Sequence, residues 1–128
     1  MTSVDVGPTF LSMLGVKEEL PGTQGRDRSD WFENKENVID EDHIAYFRAT
    51  TMHPPWVAAV SDDYKLVLSD KDSPWLFDPK KDPDELTNFY DHKDYRSIRY
   101  SMTKALKKEM KKAKELALSI SGYSEWLN

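Results

Sequence analysis

The sequence contains no cysteine, which excludes disulfides, thiolate metal sites and a cysteine nucleophile together. It also lacks any apolar run long enough to span a bilayer, and no signal peptide follows Met1, which leads straight into Val4-Asp5-Val6-Gly7-Pro8. Positive charge is in deficit, with 18 lysines and arginines against 23 acidic residues and a net charge of −5. That balance argues against a general nucleic-acid or anionic-membrane role. What is present is ordinary for a soluble globular domain: 128 residues, 38% hydrophobic and 32% charged, enough to bury a normal core under a well-solvated surface.

The stretch 64–90, YKLVLSDKDSPWLFDPKKDPDELTNFY, carries the densest local signals. Tyr64, Leu66 and Leu68 alternate with Lys65, Val67 and Ser69, the period of two of a strand with one buried face. A charged turn from Ser69 to Ser73 follows. Trp75-Leu76-Phe77 then forms a short strand that Asp78-Pro79 closes, because proline has no amide to give to a ladder. Asp82-Pro83 reads as a helix cap and first helical residue, with Glu85 reaching back to the cap amide and Asn88 ending the turn. Upstream, residues 44–51 alternate as a first strand and 56–60 as a second, around an irregular His53-Pro54-Pro55 turn. Connections this short predict an antiparallel meander of about four strands.

Downstream, Tyr95, Ile98, Met102, Leu106, Met110 and Ala113 recur at spacings of three and four, one apolar stripe of a long helix able to cover the sheet. Its other face holds Lys104, Lys107, Lys108, Lys111, Lys112 and Lys114. These read first as a solvated face with basic residues late in the helix, where the dipole favours them, and second as a polyanion or membrane-surface contact. Gly122 should break the chain, leaving Tyr123, Trp126 and Leu127 as a docked or mobile tail. At the other end, Ser3 or Asp5 can cap a short helix through Pro8, Phe10, Leu11 and Leu14 that stops at Gly15. That helix is apolar on more than one side and wants neighbours. Residues 17–37 read as a polar loop in which Arg26 and Arg28 are either solvated beside Asp27 and Asp30, the favoured reading, or an anion site. The fold class is α+β: a small four-stranded antiparallel sheet packed by one long C-terminal amphipathic helix, with a short N-terminal helix and loop.

Tyr64-Lys65-Leu66, Leu76-Phe77-Asp78, Asp82-Pro83, Glu85 and Asn88, in this order and spacing, resemble the C-terminal subdomain of the type I sulfatases, the family related to alkaline phosphatase. A second match lies upstream, where VDVGPTFLSMLGVKEELPGTQGR, residues 4–26, is similar to the segment that ends the family's large catalytic domain. The likeness implies two parts: residues 1–37, a remnant of that catalytic domain with a linker, and 38–128, the C-terminal subdomain. After Arg26 the agreement weakens, since the family often continues with apolar residues where this chain has Asp27-Arg28-Ser29-Asp30.

In the resembled family, sulfate-ester hydrolysis uses a formylglycine matured within a C/S-x-P-x-R motif and a calcium ion, both upstream of these segments. The motif is missing here, so no catalytic residue is assigned and no cofactor is expected in this chain; calcium and formylglycine are implied only for a full-length parent. Asp40, Glu41, Asp42 and His43 read as an acidic turn entering a strand, not as a metal site, because four adjacent residues rarely converge on one ion. His53 and Trp56 are the candidate substrate-binding residues, since loops of the resembled subdomain overhang the catalytic pocket and a rigid HPPW turn suits such presentation. The bland alternative is an exposed histidine beside a core tryptophan; His43 and His92 read as structural or exposed. Three functions are open. The chain is a non-catalytic C-terminal portion of a sulfatase, whose partner is the missing N-terminal catalytic domain. Or it is a free-standing binding or oligomerisation module that hides its apolar surface in a homo-oligomer. Or it is a hydrolase built around His53, the weakest reading because no nucleophile with base and orienting group can be picked out. Neither nucleic acid nor membrane is an expected partner. The parent family is often periplasmic or secreted.

Overall fold

Four short runs of period-two alternation pair into one sheet. The strands are β1 (Ala45–Ala49), β2 (Trp56–Val60), β3 (Lys65–Ser69) and β4 (Trp75–Phe77), antiparallel in the order β1-β2-β3-β4, the meander that the short connections predict. The computed structural model describes residues 3–16, 20–33, 44–49 and 55–127, which divide into two compact units, Met1–Glu41 and Asp42–Asn128. Among the described residues no helix is long and apolar enough to cross a membrane.

In the larger unit the register lines up Arg48, Val57 and Leu68 across the sheet, and likewise Tyr46, Ala59, Leu66 and Leu76. Val57, Ala59, Leu66, Leu68 and Leu76 are buried together with Met102, Leu106 and Met110 of the long helix α2 (Arg96–Lys112). Each such side chain contributes about 1.5–3 kcal/mol by leaving water. The alternate positions form the other face, where Phe47, Ala58, Val67 and Trp75 stand in one cross-strand row. Phe47 and Trp75 remain 48% and 52% exposed.

The helix expected at Asp82 does not form. Glu85 takes a left-handed backbone conformation (φ 52), which stops any helix after a single turn, and its carboxylate bonds the Lys65 ammonium on β3 instead of the cap amide. Asp82 Oδ2 instead accepts from the Thr87 amide at 2.7 Å. Asn88 then clasps β4: its Oδ1 accepts from the Leu76 and Tyr90 amides, and its Nδ2 donates to the Pro74 carbonyl, each at 3.0 Å. The Phe89 amide donates to the Leu76 carbonyl at 2.8 Å, continuing the edge that a three-residue strand leaves open.

α2 ends in a Schellman motif. The Glu115 amide donates to the Met110 carbonyl at 2.9 Å and the Lys114 amide to Lys111 at 3.1 Å, with Lys114 at φ 52, where glycine is usual. The tail docks rather than hanging free: Tyr123 within the short helix α3 (Ser121–Trp126) and Leu127 at its C-terminal end are buried. Gly122, expected as a breaker, lies inside α3, where a Cβ would come within 2.5 Å of the Asp70 carbonyl oxygen. Its role is therefore close approach, not termination.

In the smaller unit, helix α1 (Val6–Met13) stops at Gly15 (φ 73). Asp5 does not cap it with its side chain; its Oδ1 accepts from the Arg26 amide at 2.9 Å, and Thr9 Oγ1 accepts from the Arg28 amide at 2.9 Å. These bonds draw the loop onto the helix, and Gly25 is required there because a Cβ would meet the Val4 carbonyl at 1.7 Å. The expectation of a solvated Arg28 fails for the same reason: the residue is buried, with its guanidinium carbon 5.1 Å from the Trp31 ring centre.

Two substitutions test these junctions by denaturant unfolding. Asn88→Ala removes three bonds at the sheet edge and should lower stability by about 2 kcal/mol. Lys114→Gly relieves a left-handed non-glycine and should raise it by about 1 kcal/mol.

Candidate functional site

The end of the sheet where β1 hands over to β2 gathers the polar groups of the larger unit. His53 and the rest of the 50–54 segment lie outside the described residues, as do Asp40, Glu41, Asp42 and His43. What flanks the segment is defined. Ala49 pairs with Trp56, so the two strands converge there. Trp56 is half-buried and stands on the face opposite Val57, the face that α2 does not cover. The Pro55 carbonyl accepts from the Tyr123 hydroxyl at 2.7 Å, so α3 holds the chain at Pro55, just before β2.

On the helix side of the same edge, Tyr46 and Arg48 converge on Glu115. Tyr46 Oη donates to Glu115 Oε2 at 2.5 Å and Arg48 NH1 to the same oxygen at 2.8 Å, across 69 and 67 positions of sequence. The other carboxylate oxygen accepts from the Ala117 amide at 3.1 Å. Burial pushes the Glu115 carboxyl up, but the hydrogen bonds from Arg48, Tyr46 and Ala117 together outweigh it and hold the group below the usual carboxylate range. Burial, then the bond to Glu115, pushes the Tyr46 phenol well up. Burial, then the nearby carboxylates of Asp70 and Glu115, raises Tyr123 to about 12. The Glu115 oxygens are occupied by three donors, and the phenols of Tyr46 and Tyr123 resist ionisation. The cluster is a clasp that fixes both flanks of the 50–54 segment.

A second group lies at β4. Tyr95 Oη donates to Asp78 Oδ2 at 2.8 Å, while the Lys81 ammonium sits 5.3 and 5.5 Å from the Phe89 and Tyr95 ring centres. Burial and the Asp78 bond raise Tyr95 to about 12. His92 packs edge-on against Tyr95 at 5.7 Å and its Nδ1 accepts from the Asp94 amide at 3.4 Å, a structural role in an exposed position. Among the described residues no three His, Asp or Glu side chains gather as a cation site. With no cysteine and no S-x-P-x-R run in the sequence, the residues of this chain do not fit a formylglycine site either.

The smaller unit carries an open cleft of about 920 Å³ lined by Pro8, Leu11, Ser12, Val16, Leu20 and Pro21 among others. Around it the apolar side chains of α1 face outward, with Phe10 61% and Leu14 63% exposed. Of the two residues expected to bind substrate, Trp56 alone is described. The partners of Glu115 and Tyr123 escape sequence reading, because tertiary folding alone brings them together.

Residues 1–113 match the family model described as N-sulphoglucosamine sulphohydrolase, C-terminal. No curated protein matches the chain. Among solved structures, that of BT4656 in complex with its substrate D-glucosamine-2-N,6-O-disulfate aligns at a TM-score of 0.76 and 25% identity, over 88% of this chain and 24% of that one. BT1596, a 2-O GAG sulfatase, aligns at 0.78 and 18% identity over 91% of this chain and 26% of its own. The protein yidJ from Bacteroides fragilis aligns at 0.75 and 22% identity over 97% and 26%. The last two likenesses speak for the fold alone. The chain spans about a quarter of the length of the structures it matches.

The clasp has a pH signature. Because the folded carboxyl of Glu115 lies below its ordinary value of 4.5, its contribution is complete above that value and is lost as pH falls through the folded one. Glu115→Gln should cost about 2 kcal/mol at pH 7 and should flatten the loss of stability as pH falls below the ordinary carboxylate value, as read by urea midpoints at each pH.

Proposed function

Because the chain belongs to the family of N-sulphoglucosamine sulphohydrolase C-terminal regions, we propose that it is the C-terminal part of a sulfatase, not catalytic by itself, that completes the fold of a catalytic domain and shapes its substrate pocket. The observation that carries the proposal is α1. An eight-residue helix with Phe10 61%, Met13 52% and Leu14 63% exposed presents a surface that water does not favour and that a larger domain would cover. The outward row of Phe47 and Trp75 on the sheet of the other unit supports the same reading.

In this reading the catalytic domain is the partner and supplies the formylglycine and calcium of sulfate-ester hydrolysis. The present chain contributes His53 and Trp56 to substrate binding, the 50–54 segment being flanked by residues that Tyr123 and Glu115 hold. A sulfated carbohydrate is the substrate class, in keeping with the family description and with the disulfated glucosamine bound by BT4656. The second reading, a self-associating module, rests on the same exposed apolar surface and makes the opposite forecast for its occupant.

The test compares the 128-residue chain with the product of its gene read in frame upstream to a C/S-x-P-x-R motif. The longer protein should hydrolyse a sulfated glucosamine and the chain alone should not. Phe10→Asp should change the stability of the isolated chain by less than about 0.5 kcal/mol, since the side chain is exposed there, yet reduce soluble, active longer protein several-fold. An active isolated chain, or a longer protein indifferent to Phe10→Asp, would sink the proposal. A concentration-dependent dimer abolished by Phe10→Asp in sedimentation would favour the module instead.

A further inference from the structure

Nine of the chain's 18 lysines and arginines lie between Lys93 and Lys114, with only two of its 23 acidic residues, although the chain as a whole is negative. The helix sorts these charges. Met102, Leu106 and Met110 are buried against the sheet, and Glu109, on the flank of that stripe, is 3.8 Å from Lys112. Arg96, Tyr100, Lys104 and Lys108 follow one another every fourth residue along the opposite side, with Lys111 and Lys112 beside them, while the half-buried Lys107 donates to the Leu127 carbonyl at 3.0 Å. No acidic residue interrupts this face. A face meant only for solubility mixes both signs, because alternating pairs stabilise the helix and like charges four apart cost a few tenths of a kcal/mol each. Arg96, Lys104, Lys108 and Lys111 are exposed and pair with no carboxylate among the described residues, and Tyr100, in their midst, is 71% exposed. The stripe from Arg96 to Lys111 is about 22 Å long at 1.5 Å per residue, with neighbouring charges about 5–6 Å apart.

We propose that this face of α2 binds a sulfated polysaccharide along its length, with the lysines on successive sulfate groups and the Tyr100 ring against a sugar face. The proposal rests on the sulfated-carbohydrate reading above, which selects this polyanion over others. A repeating anion of linear form matches a linear row of unpaired cations, and each neutralised charge releases a counterion, so the attraction is salt-dependent. A nucleic-acid duplex fits less well, because it carries its charge over a wider footprint and would meet the negative remainder of the chain. A lipid surface fits less well too, because the face has one aromatic residue and no aliphatic side chains to insert.

The test titrates the 128-residue chain with size-defined heparin and with the same heparin chemically desulfated, at 0.05 and about 0.15 M salt. Heparin should bind, more weakly at the higher salt, and the desulfated chain should bind at least about tenfold less tightly. The variant Lys104→Gln/Lys108→Gln/Lys111→Gln should lose about tenfold or more in affinity with its circular dichroism and Tm unchanged, whereas the control Lys71→Gln/Lys80→Gln should not. Tyr100→Ser, a single exposed change, should weaken binding several-fold and keeps the test open if the triple variant misfolds. Binding within twofold of wild type in the lysine variant, equal binding of desulfated heparin, or equal competition by duplex DNA or phosphatidylserine vesicles at matched charge would overturn the proposal. The readout uses only the isolated chain, so its failure leaves the sulfatase reading standing, and an inactive longer protein leaves the binding result standing.

Discussion

A four-stranded sheet has two faces and this unit has one long helix to cover them. α2 buries Val57, Ala59, Leu66, Leu68 and Leu76 under Met102, Leu106 and Met110, and that contact is the condition for everything else in the larger unit. Having spent its only long apolar stripe on one face, the unit leaves Phe47, Val67 and Trp75 on the other. The chain belongs to a sulfatase C-terminal family and spans about a quarter of the length of its structural neighbours.

The same helix decides where the chain goes next. Its Schellman end reverses the backbone at Lys114 and delivers Glu115 to the edge of β1, where a hydrophobic contact would more often follow such a turn. A buried carboxylate is tolerable there because a phenol, a guanidinium and an amide all donate to it. From that anchor the tail folds back, Gly122 slides over Asp70, and Tyr123 reaches the Pro55 carbonyl. The chemistry at this pole is thus holding rather than reacting. The residues on either side of the 50–54 segment are set by these long-range hydrogen bonds.

Local pattern was a good guide wherever one element's own periodicity decided the outcome. The alternation in Tyr64–Ser69 and Trp56–Val60 and the stripe from Tyr95 to Met110 were legible because a strand or helix exposes or buries residues at its own repeat. It misled at Asp82, where a sound capping signal lost to two longer-range bonds, the Lys65–Glu85 pair and the Asn88 clasp on β4. It misled at Gly122 too, because a missing Cβ serves close approach as readily as chain reversal, and only the position of Asp70 tells the two apart. Arg28 became a buried residue because Thr9 and Trp31 closed around it, which no charge pattern announces.

By itself the sequence determined the fold class, the strand order, the amphipathic helix and the resemblance to a sulfatase C-terminal region, since each follows from repeats and motifs contained within short stretches. Tertiary structure alone decided that Glu115 joins Tyr46 and Arg48, that Tyr123 holds Pro55, and that the apolar side chains of α1 and of the outer sheet row stay exposed. The physical reason is separation along the chain: residues 67 to 69 positions apart acquire a relationship only when a packed core brings them within hydrogen-bond reach.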